Sequence, residues 1–165
     1  MSTATVPRSL ETMAPNARVW VYKSAIPFTS EQRKMIVDRG RDFTTSWAAH
    51  GAALDACVEV LQDHFVVIAV DEQQAMASGC SIDKSVHFVQ ALERALGMQL
   101  TDRMVVLYEK DGAIRTCRVP EVEGLLKSGE LDARTTVFND MVGNCGDLKA
   151  RFRIPLGASW MSRFL

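Results

Sequence analysis

The sequence predicts an α+β domain, because runs of β-type residues alternate with two longer stretches of helical periodicity. Of its 165 residues, 47% are hydrophobic and 24% are charged, which is the composition of an ordinary globular protein. A chain of this length can bury a substantial core within one domain. Residues 1–17 are rich in Ser, Thr, Ala and Pro and lack periodicity. We therefore predict a flexible N-terminal arm over 1–17 and a single α+β domain over 18–165.

The first half of the chain predicts a strand, a helix and then two strands. "RVWVYKSA" has the aromatic and β-branched residues of a strand of about six residues. Thr29 and Gln32 have the spacing of a capping box, which begins a helix. That helix is predicted over 30–50, and Gly51 is well placed to end it after His50. "ACVEVLQ" and "HFVVIAVD" predict an antiparallel hairpin whose second strand is apolar on both faces and so lies inside a sheet.

The second half predicts a further helix and a hairpin, and then a short extension. Apolar residues repeat at helical spacing over 82–97. "RMVVLYEKDGAIRTCRVP" is a β-hairpin pattern around Asp111 and Gly112, a pair that suits a tight turn. Pro120 fits the first position of a short helix over 120–128. "TTVFN" predicts a strand and "CGDLKARF" a helix.

The order of these elements predicts a ferredoxin-like core. Strand, helix, strand, strand, helix, strand is the split β-α-β arrangement, in which both helices pack on one face of an antiparallel sheet. A hairpin strand, a helix and a strand then extend the core toward the C-terminus.

Composition and charge exclude several classes of function. Nineteen basic and twenty acidic side chains give a net charge of −1, so nucleic-acid binding is not expected. The N-terminus lacks an apolar signal region and no apolar run approaches about 20 residues, so we predict a cytoplasmic protein without membrane insertion. Four widely spaced cysteines and three histidines offer no zinc pattern. We expect reduced cysteines, no metal and no cofactor.

"SGCSIDKS", residues 78–85, follows the most apolar strand and opens a predicted helix. A phosphate-binding loop requires G-x-x-x-x-G-K-[ST], and aligning Lys84 and Ser85 on its last two positions puts Ser78 and Asp83 where the glycines belong. Asp83 would also place a carboxylate beside the phosphate. We therefore do not expect this segment to bind ATP.

"VDEQQAMASGCSIDKSVHF", with "SWAAHG" upstream and "SWMSRF" at the end, resembles a group of short uncharacterised bacterial proteins. The resemblance covers roughly residues 18–165, and "SGCSID" is its most specific part. Members of this group are often labelled "ABC transporter ATPase". The resemblance implies no established activity, and the sequence lacks the signature loop and the Walker B carboxylate that the label requires.

A thiol site is the second interpretation of residues 78–85. Cys80 lies at a predicted helix start, where the helix dipole stabilises a thiolate, whereas Asp83 opposes it. His87 is too far along the helix to serve as its base, so His50 or His64 would have to approach through the fold. The alternative is that Gly79 and Cys80 are small residues packed in a crowded turn, with Ser81 as the helix cap.

The sequence favours a binding or regulatory module for an unknown small molecule or protein partner. Its candidate ligand-binding residues are Ser78, Gly79, Ser81 and Asp83, with Asp71 at the end of the central strand. A cysteine-dependent enzyme or thiol sensor, with Cys80 and His50 as catalytic residues, is the alternative. Nucleotide binding, as the family label asserts, is the second alternative. The pattern does not predict an oligomeric state.

Overall fold

The computed structural model describes residues 8–73 and 75–165. It is a mixed α and β structure with antiparallel sheets, as the sequence predicts. The strands are β1 (Arg18–Lys23), β2 (Ala48–Ala49), β3 (Ala52–Ala53), β4 (Asp55–Leu61), β5 (Phe65–Asp71), β6 (Val105–Lys110), β7 (Ala113–Arg118), β8 (Thr136–Phe138) and β9 (Arg153–Pro155). The α-helices are α1 (Ser30–Ser46), α2 (Gly79–Leu96), α3 (Val122–Ser128) and α4 (Cys145–Arg151).

The first sheet has the strand order β1-β5-β4, and both of its pairings are antiparallel. Every residue of β5 is buried, which confirms the prediction that this strand lies inside a sheet. Successive side chains of a strand point to opposite faces. Val66, Ile68 and Val70 accordingly face one hydrophobic cluster, and Phe65 and Val67 face another.

Helices α1 and α2 pack on the same face of the first sheet, as predicted. Ile36 of α1 and Leu92 of α2 are completely buried in one cluster with Ile68 of β5. Thr29 and Gln32 form the expected capping box, which satisfies backbone amides at the start of α1.

The C-terminal end of α1 is not where the sequence places it. The helix ends at Ser46, because Trp47 adopts an extended conformation and is buried in the core. The chain then forms the small hairpin of β2 and β3, with His50 and Gly51 at its turn, both with positive φ. The prediction of a helix over 30–50 with His50 at its end is therefore wrong by one turn, and the energetic reason is burial of the Trp47 ring.

Part of the predicted N-terminal arm belongs to the core. Residues 1–7 lie outside the described residues. Leu10, Met13 and Ala17 are buried, and they pack with β4 and β5. Arg8 forms ion pairs with Asp55 and Asp71, at 3.0 and 3.3 Å. Residues 8–17 are thus a packed part of the domain rather than a separate arm.

The second sheet has the strand order β7-β6-β8-β9. Asp111 and Gly112 form the predicted tight turn between β6 and β7, with φ of 52° and 75°. In a ferredoxin-like sheet β6 would pair with β1, but here its partners are β7 and β8. The ferredoxin-like topology is therefore not confirmed. Pro120 lies in a 3-10 turn that leads into α3, and Gly129 ends that helix, close to the prediction.

The two sheets share a hydrophobic cluster, which we call the shared core. Both β1 and β6 contribute alternate residues to it, and α4 covers it. The rings of Phe138 and Phe152 lie 5.3 and 4.9 Å from the ring of Phe65. β1 and β6 thus pack on the same hydrophobic cluster, although they are not paired with each other. None of the helices of residues 8–73 and 75–165 is long and apolar enough to span a membrane.

Candidate functional site

Residues 79–85 form the first two turns of α2 and not a loop. Ser78 is the N-cap, and its side-chain oxygen accepts a hydrogen bond from the Ser81 amide at 3.2 Å. The Ser81 hydroxyl donates to the Ser78 carbonyl at 2.8 Å and is buried. The prediction that Ser81 caps the helix is wrong, because the capping position is three residues earlier. An N-cap of this kind stabilises a helix by about 1 kcal/mol.

The start of α2 is fixed to the core through Trp47. The buried indole Nε1 of Trp47 donates to the carbonyl of Ser81 at 2.8 Å. Lys84 and Ser85, which a phosphate loop would place around an anion, are helical, and the Ser85 hydroxyl donates to the Ile82 carbonyl at 2.6 Å. A phosphate loop needs its amides free to converge on an anion before the helix begins. Ser78 and Ser81 therefore have a structural role at the helix start.

Cys80 and Gly79 are exposed, so the prediction that they are packed in a crowded turn is wrong. A Cβ atom added at Gly79 would meet nothing within 4 Å. Asp83 is also exposed, and it forms no ion pair with any described residue. No neighbour among the described residues therefore requires a glycine at position 79.

The structure does not connect Cys80 with a catalytic base. His50 lies exposed in the turn between β2 and β3, and His87 is exposed on α2. His64 is buried, with its Nδ1 atom 2.9 Å from the Ser24 carbonyl oxygen. Throughout the described part of the chain, no hydrogen bond joins Cys80 to any of these histidines. Cys80 is thus accessible and has no acid–base partner among residues 8–73 and 75–165.

The other three cysteines are buried. Burial raises the pKa of Cys57 to about 12, with a further contribution from the nearby Glu59 carboxylate. Burial raises the pKa of Cys117 to about 11 and also raises the pKa of Cys145. A raised pKa keeps a thiol protonated and unreactive near neutral pH.

Asp71, the predicted ligand residue at the end of β5, has structural partners. One carboxylate oxygen accepts a hydrogen bond from the Gln73 amide at 3.0 Å, and the other lies 3.3 Å from Arg8. These contacts satisfy the carboxylate at the turn and hold residues 8–17 on the core. Among residues 8–73 and 75–165, no group of three His, Cys, Asp or Glu side chains is placed to hold a metal ion.

A cleft of about 840 Å³ lies between β1 and β6. It is lined by β1, residues 100–103, the first part of β6, residues that follow β8 and the 3-10 turn Trp160–Phe164. Its base is apolar, because Val21 and Leu107 belong to the shared core. Trp160 and Met141, which are 41% and 75% exposed, lie at the cleft. Exposed large apolar side chains around a cavity are typical of binding surfaces.

The cleft separates two strand edges. On β1, the amides of Val19 and Lys23 donate away from β5, to the carbonyls of Gly143 and Leu100, each at 3.1 Å. Residues two apart on a strand direct their amides to the same edge, so the Val21 amide also faces the cleft. Within residues 8–73 and 75–165 that amide has no hydrogen-bond acceptor. On β6, Tyr108 pairs with Val137 of β8, and no strand of the described chain pairs with Val105 or Val106 on that edge.

The cleft also holds four charged residues, and two of them pair with each other. Lys23 Nζ lies 2.7 Å from Asp140 Oδ2. Asp102 pairs with Arg118, which lies outside the cleft, at 2.9 Å. The hydrogen bond from the Met104 amide and then the Arg118 contact lower the pKa of Asp102. Arg103 is exposed and forms no ion pair with any residue that the structure describes. The cleft therefore presents one positive charge that is not neutralised internally.

A second, smaller cavity of about 390 Å³ lies between α1 and α2. Its base is the stacked pair of Phe43 and Phe88, with ring centroids 4.5 Å apart, and Lys84 and His87 also line it. No backbone group of a strand edge reaches it, and it is a shallow groove on the helix surface.

Comparisons with protein families, with curated proteins and with solved structures returned no match for this chain. The function is therefore inferred from the residues themselves. Sequence patterns direct attention to the start of α2, whereas the cleft is built from segments around residues 20, 102, 106, 141 and 160. The only local signals for it are the aromatic residues of β1 and of the C-terminal segment.

Proposed function

We propose that the protein is a binding module and that its ligand site is the cleft between β1 and β6. A cavity of about 840 Å³ is within the size range of small-molecule sites, about 300–1,000 Å³. Its apolar base with a few polar groups is the usual composition of such sites. The observation that carries the proposal is that this cavity coincides with strand-edge backbone groups and an Arg103 side chain that have no partner among the described residues.

The proposal is tested with 8-anilinonaphthalene-1-sulfonate, an anionic aromatic probe. We expect saturable binding, with amide NMR shifts confined to residues that line the cleft. Thr101 is exposed and lines the cleft, so Thr101→Trp is expected to fill it and weaken binding at least tenfold. Thr116→Trp on β7 is the matched control, because Thr116 is exposed outside the cleft, and its affinity should equal that of the wild type. Equal binding by all three proteins, or shifts clustered at Phe43 and His87, would contradict the proposal.

A thiol sensor is the second candidate function. It is supported by one observation: the structure describes all four cysteines, and of these only Cys80 is exposed. Such a thiol needs solvent access, which Cys80 has at the start of α2.

We expect iodoacetamide at pH 7 to alkylate Cys80 first in the native protein. The three buried thiols have raised pKa values and should react at least tenfold more slowly, until the protein unfolds. Mass spectrometry of peptides from timed samples measures each site. Cys80→Ser should remove the fast phase and leave the slow ones unchanged. A fast phase that persists in Cys80→Ser would contradict the assigned burial.

We expect no saturable ATP binding at millimolar Mg-ATP. The helical conformation of residues 79–85 supports this, because in the described part of the chain it leaves no loop of free amides around Lys84. Isothermal titration calorimetry measures it. A micromolar dissociation constant that is lost in Lys84→Ala would overturn the prediction and restore the function that the family label asserts.

A further inference from the structure

We infer that the ligand of the cleft is a short extended peptide segment that carries a carboxylate, an inference that rests on the proposed binding function of the cleft. The first argument is the open backbone position at Val21. Both the amide and the carbonyl of Val21 face away from β5, because Val21 and Val67 form a non-hydrogen-bonded pair in the antiparallel ladder. One residue of an added strand satisfies both groups, as in strand addition to a sheet edge.

The flanking contacts set the length of this segment. Val19 and Lys23 are already paired with Gly143 and Leu100, so the free edge of β1 lies between them. Four residue steps of an extended strand span about 13 Å, which is room for three or four residues of ligand. A longer segment must leave the edge of β1 at each end.

The side chains of the cleft indicate which surfaces the alternate side chains of the peptide segment would contact. Val21 and Leu107 present apolar surface at the base, where the cleft meets the shared core. Trp160 lies at the exposed rim. Alternate ligand residues therefore face an apolar base and a partly exposed aromatic rim, which favours an apolar residue at every second position.

The charge of the cleft favours a carboxylate on the ligand. Lys23, Asp140 and Asp102 are paired, and Arg103 is the charged group of the cleft that forms no ion pair in the described chain. An arginine forms bidentate hydrogen bonds with a carboxylate, which makes a peptide C-terminus or an acidic side chain complementary to it.

The probes for the test are N-acetylated tetrapeptides with valine at every second position, each made with a free carboxylate and as the C-terminal amide. We expect the best acid to bind with a Kd of about 10–1,000 μM and to slow hydrogen exchange of the Val21 amide. Its amide form should bind about tenfold more weakly. In Arg103→Gln the acid and the amide should bind equally, whereas Arg134→Gln, an exposed arginine outside the cleft, should behave as the wild type.

N-methylation of the peptide tests the backbone pairing without altering the protein. Methylation of the peptide amide that donates to the Val21 carbonyl should abolish binding. Methylation of the amide of the next residue, which points away from β1, should change the affinity less than threefold. Peptides whose affinity is insensitive to methylation, or to the exchange of carboxylate for amide, overturn the inference. If the naphthalene probe binds the cleft and no peptide does, the proposed binding function stands and the peptide inference fails. If neither binds, both fail.

Discussion

Phe65→Ala is expected to lower the free energy of unfolding by about 3–5 kcal/mol. The Phe65 side chain is completely buried at the start of β5. Its ring contacts Phe138 of the second sheet and Phe152 after α4, with centroids 5.3 and 4.9 Å away. Removing it deletes a large apolar surface and leaves a cavity where the two sheets meet. Urea denaturation followed by circular dichroism measures the change.

Ile26→Ala serves as the control, because the Ile26 side chain is 65% exposed and its loss should change the stability by less than about 0.5 kcal/mol. A loss below about 1 kcal/mol in Phe65→Ala would contradict the shared core. It would mean that each sheet is stable on its own cluster.

Gly40→Ala is expected to destabilise the protein by about 1–3 kcal/mol, although alanine is the better helix former. Gly40 faces β4 from α1, and a Cβ atom there would lie 2.6 Å from Val58 Cβ. The helix must move away from the sheet to relieve this overlap, which loosens its packing on β4. Thermal and urea unfolding of the variant measure the effect.

Gly124→Ala is the matched control for this helix–sheet contact. Gly124 lies in α3, and a Cβ atom there would meet nothing within 4 Å. Its replacement should leave stability unchanged or raise it by up to about 1 kcal/mol. Similar losses in the two variants would show that glycine flexibility, and not close approach to Val58, explains Gly40.

Local chemistry predicted most of the elements of the fold. The capping box of Thr29 and Gln32, the turn at Asp111 and Gly112 and the uniformly apolar β5 each depend on residues near in sequence. Such signals determine the type of an element and one of its ends. These elements could therefore be predicted from the local sequence, without knowledge of the rest of the chain.

Tertiary packing decided the features that the sequence did not predict. α1 ends at Ser46 because the Trp47 indole is buried and hydrogen-bonded to Ser81, which lies 34 residues later. β6 pairs with β8 and leaves β1, a choice between two strand edges that no local pattern encodes. The cleft follows from that choice, so its position could not be predicted from motifs. The sequence pattern of residues 78–85 singled out Cys80 as a candidate. Its exposure, however, depends on how α2 packs on the sheet and could not be predicted from that pattern.

The shared core has a consequence for synthesis of the chain. Its members run from Leu10 to Phe152, so translation must pass Phe152 before this cluster can close. At about 5–20 residues per second that interval lasts on the order of ten seconds. During it, the face of β5 that carries Phe65 and Val67 has no apolar cover from the second sheet. A nascent chain of this protein therefore leaves a hydrophobic strand face uncovered by the second sheet until the segment that carries Phe152 has left the ribosome.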